Sequence, residues 1–298
     1  MSLQQLEFVI ARFTAMKANW SATVSLEQMR RDLDSLAVGF PAPAQFRTEP
    51  ISAGGVEAEW IDTPSVDFTK TLLYFHGGGF AVGSLRGTRN FAAHLSVATG
   101  ARVLVAGYRL APEFTFPAPL EDAESAYRWL LSQGQPPARI ALCGDSAGGG
   151  LALALIARLL AAGIALPSCA ILFTPWADLR CGAASYELLR DRDPVANREM
   201  AQMMAATYLG ADGRPDDPRA TPVLADFKGF CPLFIQGAGR DVFRDDARAI
   251  QERATDAGVD SLLDEWPEMI HTWQLYASVL DEARQALAKA RKFLSRHW

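Results

Sequence analysis

Cysteine is scarce in this chain: 4 in 298 residues. Cys143, Cys169, Cys181 and Cys231 form no CxxC pair and no metal-ligand spacing, which argues against a disulfide scaffold and a thiolate metal site. They are expected to be reduced core residues. Dense runs of Lys and Arg are also missing, and the formal net charge is −5. Nucleic acid is therefore not an expected partner. The most apolar stretch, Leu159 to Phe173, is too short for a bilayer and carries Gly163 and Pro167, so no membrane span is expected. The opening MSLQQLEFVIARF has neither a basic n-region nor a sustained apolar h-region. It does not read as a secretory signal, and the expected location is the cytoplasm. Internal repeats and low-complexity tracts are absent.

What the chain does have is apolar material, 49% of its residues, enough for a large core. Two helices are predicted first, Leu3 to Trp20 and Ser25 to Ala37, the second opened by a Ser25/Gln28 capping box. Phe40-Pro-Ala-Pro-Ala44 ends that pattern. Strands are then predicted at Val56 to Asp62, Thr71 to Phe75, Ala101 to Ala106, Arg139 to Cys143, Cys169 to Phe173, Pro232 to Gln236 and Ser261 to Trp266. Helical patterns separate them at Thr88 to Thr99, Leu120 to Ser132, Ala147 to Ala162 and Asp245 to Ala257, and one follows at Trp273 to Leu294. This alternation predicts an α/β fold, a mostly parallel central sheet with helices on both faces. Between Trp176 and Phe230 the rhythm breaks, leaving helical stretches at Ala183 to Arg190 and Arg198 to Tyr208. Residues 46–298 are accordingly expected to form one α/β domain. An insertion at about 177–228 and the N-terminal helices within 1–45 would cover one end of its sheet.

Gly144-Asp145-Ser146-Ala147-Gly148 is a G-x-S-x-G motif between a strand candidate, Arg-Ile-Ala-Leu-Cys, and a helix candidate. Strand, sharp turn and helix are the context of a nucleophile elbow, in which the serine takes a strained backbone conformation and projects its hydroxyl above the sheet. The helix N-terminus lends positive character where an oxyanion would develop. His76-Gly77-Gly78-Gly79-Phe80 directly follows the strand ending at Phe75. Bare amides there suit an oxyanion hole, and the expected donors are Gly77, Gly78 and Ala147. His76 reads as a loop brace. A phosphate-binding loop is the rival, but no Lys-Ser/Thr follows and no GxGxxG with a distant acid is present.

Together with YRLAPEFTFPAPLEDA, Tyr108 to Ala123, and GDSAGGGLA, Gly144 to Ala152, the HGGGF stretch resembles the hormone-sensitive-lipase-like esterases, bacterial lipolytic family IV, in the subgroup with aspartate before the serine. The resemblance runs from about Thr71 to the C-terminus. It implies an α/β-hydrolase core, a helical cap built partly from the N-terminal helices, hydrolysis of short- to medium-chain acyl esters without a cofactor, and a homodimer through an edge strand.

That fold expects the order serine, acid, histidine. Only His271 and His297 follow Ser146, and His297 is the penultimate residue. His271 lies in a loop beyond a strand, and His271-Thr272-Trp273 resembles the family's histidine loop with Trp where Phe is commoner. Gly239-Arg-Asp-Val-Phe-Arg-Asp-Asp246 resembles its acid loop, with Phe243 where Leu is common. Asp241 is the expected orienting acid. Asp245 and Asp246 are read as helix-start carboxylates, and Asp145 as a structural residue bonded to nearby backbone. Tyr108, Arg109 and Glu113 are read as loop braces. Phe80 and Trp176 are the candidate pocket aromatics. Amide and lactone substrates would need the same triad and stay open, whereas a long-chain triglyceride lipase usually needs a larger apolar rim, and no long exposed apolar stretch is seen. The intact set of triad candidates argues against a hydrolase-like binding module.

Overall fold

The computed structural model describes residues 3–18, 20 and 24–298. The two leading helices are α1 (Leu3–Lys17) and α2 (Leu26–Val38). Ser25 caps α2 by accepting the Gln28 N–H at 3.2 Å, but the Gln28 side chain bonds Asp32 instead of returning to the cap. Only half of the capping box forms. The predicted end of the first helix is corrected to Lys17, and part of the segment between the helices lies outside the described residues.

The remaining elements are β1 (Arg47–Ala53), β2 (Val56–Asp62), β3 (Asp67–Phe75), α3 (Leu85–Thr99), β4 (Ala101–Ala106), α4 (Ala118–Ser132), β5 (Ile140–Asp145), α5 (Ala147–Ala161) and β6 (Cys169–Phe173). After these come α6 (Ser185–Leu188), α7 (Arg198–Leu209), β7 (Leu233–Ala238), α8 (Arg244–Asp256), β8 (Ser261–Trp266) and α9 (Asp281–Leu294). Among the described residues the strands form one eight-stranded sheet in the order β1-β2-β4-β3-β5-β6-β7-β8. Of these, β2 alone runs against the others. The residues of β5 and β6 are buried along their full length, as expected of central parallel strands covered on both faces.

Two predictions are corrected. The alternation had shown no strand at Arg47–Ala53. This edge strand is mostly exposed and carries Pro50, a residue tolerated in sheets at edges. The signal was the Gly54-Gly55 pair, both at positive φ, which turns β1 into β2. The helix predicted over Trp273 to Leu294 is two pieces, a 3-10 turn at Trp273–Tyr276 and then α9. Asp281 and Glu282 fall in the first turn of α9, where carboxylates complement the helix dipole.

The chain builds β4 on one side of β3 and then returns to build β5 on its other side. Such a reversal leaves a crevice outside the carboxyl ends of the strands. The His76–Gly79 loop and Ser146 both emerge there, directly after β3 and β5. A helical cap lies over this end: α1, α2 and α7 contribute residues to one cavity that also reaches Ser146. Lys17 of α1 ties these parts together by donating to the carbonyls of Pro194 (3.1 Å) and Val195 (3.2 Å).

Candidate active site

Ser146 sits at φ 52°, ψ −123° between β5 and α5, a region that costs an ordinary residue about 1–3 kcal/mol unless its surroundings impose it. They do so through the end of β6. The Ser146 amide donates to Phe173 O at 2.9 Å, and Ser146 O accepts from the Trp176 amide at 2.9 Å. The flanking glycines are required by contact. A Cβ on Gly148 would lie 2.0 Å from Phe75 O, and one on Gly144 would lie 2.3 Å from Gly148 O.

The structure brings Ser146, His271 and Asp241 together in one line. Ser146 Oγ is 2.8 Å from His271 Nε2, and His271 Nδ1 is 2.9 Å from Asp241 Oδ2. All three side chains are buried. Asp241 Oδ1 accepts the Phe243 amide at 2.8 Å, which holds the carboxylate against its own turn. His271 is followed by Thr272 at φ 54°, whose amide donates to Thr174 Oγ1 at 3.1 Å. Burial disfavours the imidazolium, yet the carboxylates of Asp241, Asp193 and Asp145 outweigh it and raise the His271 pKa above the ordinary 6.5.

The glycine loop differs from expectation at one position. The Gly77 amide donates to Asp145 Oδ1 at 2.9 Å, so it is not free for a bound oxyanion. Asp145 also accepts from the Tyr74 hydroxyl, and burial pushes its carboxyl pKa upward. The sequence reading of Asp145 as a residue bonded to backbone thus identifies the group that occupies Gly77. Among the described residues, the Gly78 and Gly79 amides have no hydrogen-bond partner, and neither does that of Ala147, the first residue of α5. Amides at a helix start have no partner within the helix. His76 stacks on Tyr108 with ring centroids 4.5 Å apart, and its Nδ1 lies 2.7 Å from Gly77 O. The Tyr108 hydroxyl donates to His76 O at 2.7 Å. Both therefore brace the loop.

The cavity above the serine has a volume of about 220 Å³. Its walls are chiefly apolar and include Phe13 and Met16 from α1, Leu33 from α2, Met200 and Met204 from α7, and Leu275. Trp176 is buried and lines it. Phe80 does not, and the pocket role expected for it is corrected. It stands at φ 62° and stacks on Tyr208, centroids 3.9 Å apart, under the cap. Asp245 and Asp246 lie in the first turn of α8, as read, and both also bind backbone amides of the insertion. Asp245 accepts the Ser185 amide, and Asp246 accepts those of Ala177 and Asp178. Arg109 pairs with Asp122, and Glu113 with Arg30 of α2. Among the described residues, no group of three or more His, Cys, Asp or Glu side chains is placed to hold a metal ion. No described helix is long and apolar enough to cross a membrane.

Residues 72–275 match the alpha/beta hydrolase fold family. The chain is 44% identical over 245 residues to an acetyl-hydrolase of Streptomyces hygroscopicus, covering 82% of this chain and 81% of that one. It is 32% identical over 265 residues to an esterase of Acinetobacter venetianus, covering 89% and 87% respectively. Among solved structures, an esterase from the bacterial hormone-sensitive lipase family superposes with a TM-score of 0.96 at 40% identity, covering 100% of this chain and 99% of that one.

Proposed function

The chain belongs to the alpha/beta hydrolase fold family as an esterase of the hormone-sensitive lipase group, and from that premise we propose that Ser146, His271 and Asp241 are its catalytic triad, acting on short- to medium-chain acyl esters. The observation that carries this reading is the unbroken line from Asp241 Oδ2 through His271 to Ser146 Oγ, with bonds of 2.9 and 2.8 Å, at the cavity. His271 Nε2 takes the hydroxyl proton as Ser146 Oγ attacks the ester carbonyl. The Gly78, Gly79 and Ala147 amides donate to the oxyanion, with Gly79 in place of Gly77. His271 then gives its proton to the leaving alkoxide as the C–O bond breaks, and an acyl-enzyme forms. Water, deprotonated by the same nitrogen, releases the acid and restores the serine. Asp241 holds the Nδ1–H tautomer and balances the imidazolium charge.

The acyl limit in this reading rests on the size of the cavity and its apolar helical walls, which suit a short chain better than a triglyceride. Residues 1–45 and 177–228 act as the cap over the catalytic domain of 46–298. The enzyme works in the cytoplasm, where unpaired buried cysteines are at home. It needs no cofactor, takes a small ester and not nucleic acid, and pairs with a second copy through an edge strand of the sheet.

The test is titration with a serine-directed organophosphate, read by intact mass and by turnover of p-nitrophenyl esters of increasing chain length. The expected result is one adduct, on Ser146, with activity lost in proportion, and a Ser146→Ala variant slowed by about 10⁴-fold or more. Undiminished turnover by Ser146→Ala would overturn the reading.

A further inference from the structure

A third carboxylate reaches the triad from the insertion, where sequence patterning had marked nothing. Asp193, between α6 and α7, is buried. Its Oδ2 accepts the amide of Val242, the residue after Asp241, at 2.9 Å. Its Oδ1 accepts the amides of Val195 at 2.7 Å and Ala196 at 3.0 Å, and both of these residues line the cavity. One side chain therefore bonds the turn that carries Asp241 and the wall above the serine. The charged and titratable groups facing it are Asp241 and His271 from the loops beyond β7 and β8, and Lys17 from α1. The Lys17 ammonium holds the carbonyls on either side of the Pro194–Val195 bond, next to Asp193.

We propose that Asp193 is a positioning residue of the triad, through which the seating of the cap sets the placement of Asp241 against His271. The turn at 241–243 is gripped from two sides: Asp241 Oδ1 binds the Phe243 amide, and Asp193 Oδ2 binds the Val242 amide between them. Releasing one grip frees Asp241 to rotate away from the imidazole. A 1 Å error in such a group costs about 10²-fold in rate. Burial, and then the nearby Asp241 charge, push the Asp193 carboxyl up to about 6. The three amide N–H groups it accepts favour its ionised form. It then adds to Asp241 and Asp145 in favouring the charged imidazole.

This inference rests on the triad reading, so its test has a readout that does not need turnover: the pH titration of the downfield His271 Nδ1–H proton by NMR. In Asp193→Asn the charge is gone and one amide loses its acceptor. The His271 pKa is expected to fall by about one unit, and kcat by about 10- to 100-fold, with KM moving less than kcat. Asp193→Glu, which restores charge, is expected to return the His271 titration toward that of the native protein. An unmoved His271 titration in Asp193→Asn would overturn the proposal, even with a lowered melting temperature, because a mere cap brace would change stability alone. Should the amide variant fail to fold, Asp193→Ser, which keeps a small acceptor without charge, is read in the same way. A shifted titration together with an active Ser146→Ala variant would sink the assignment of the nucleophile but not the coupling of Asp193 to His271.

Discussion

The serine elbow and the cap face each other across one cavity and are built on opposite principles. At the elbow the constraints are backbone against backbone: Gly148 is pressed on Phe75 O, Gly144 on Gly148 O and Gly150 on Trp176 O. None of these contacts can give without moving a strand or a helix. In the cap the constraints are side-chain tips. A Cβ on Gly79, which lines the cavity, would meet the Cγ, Cβ and Sδ of Met204, a flexible side chain that can adapt. Geometry precise enough for proton transfer is thus assigned to the rigid sheet ends. Substrate fit is left to side chains of the cap helices such as Met204, while the cap reaches the turn that carries Asp241 through Asp193, on the loop between α6 and α7.

The largest effect that would break this contrast is at the elbow. Gly148→Ala would place a methyl 2.0 Å from Phe75 O and 2.6 Å from His76 O. It is expected to destabilise the fold by more than about 4 kcal/mol, read as the shift of the denaturant midpoint, and to abolish ester turnover. Gly163→Ala is the control. There the φ is +65° but nothing lies within 4 Å of the new Cβ, so only the left-handed backbone cost of about 1–2 kcal/mol is expected. Gly148 is helical and not at positive φ, so a loss there no larger than at Gly163 would mean that the Phe75 and His76 carbonyls yield and that contact does not dictate this glycine.

A smaller and more selective effect is expected in the cap. Met204→Ala lengthens the cavity at α7 without reaching Ser146, His271 or Asp241. The ratio of kcat/KM between hexanoyl and acetyl p-nitrophenyl esters should rise about tenfold, the scale at which a hydrophobic pocket discriminates a methylene or two. The acetyl ester alone should change little. Equal losses on both esters would show that α7 sets the chemistry as well as the fit.

The same division explains what the sequence made legible. The central strands and the glycines around Ser146 were readable because buried parallel strands are continuous apolar runs, and because glycines next to a serine or after a strand have few other uses. The edge strand β1 carries no such run, and only its Gly54-Gly55 turn announced it. Choosing Gly79 over Gly77 needed knowledge of where the Asp145 carboxylate points, which is a tertiary fact. Phe80 was misplaced because an aromatic beside a glycine loop reads alike whether it faces the cavity or the core. Its φ of 62° turns it under Tyr208. Asp193 had no signal at all, since its partner is a backbone amide 49 positions along the chain.

The smallest effect lies where the two regions are joined. Arg30 of α2 donates to Ala81 O (2.8 Å) and Ala111 O (2.9 Å) beneath the cap, and to both oxygens of Glu113. The Arg30 hydrogen bond holds the Glu113 pKa down at about 2. A depressed carboxyl pKa stabilises the fold fully above the unfolded value of 4.5, and that stability is lost as pH falls from there through about 2. Glu113 is 53% exposed, so water screens most of the gain, and about 0.5 kcal/mol is the expected size. Glu113→Gln should therefore lower the melting temperature slightly at pH 7 and not at pH 2, with ester turnover unchanged. Arg30→Met should cost more at both pH values, because two carbonyls under the cap lose their donor. Equal costs for the two variants would mean that the ion pair, not the carbonyl contacts, fastens the cap to the sheet.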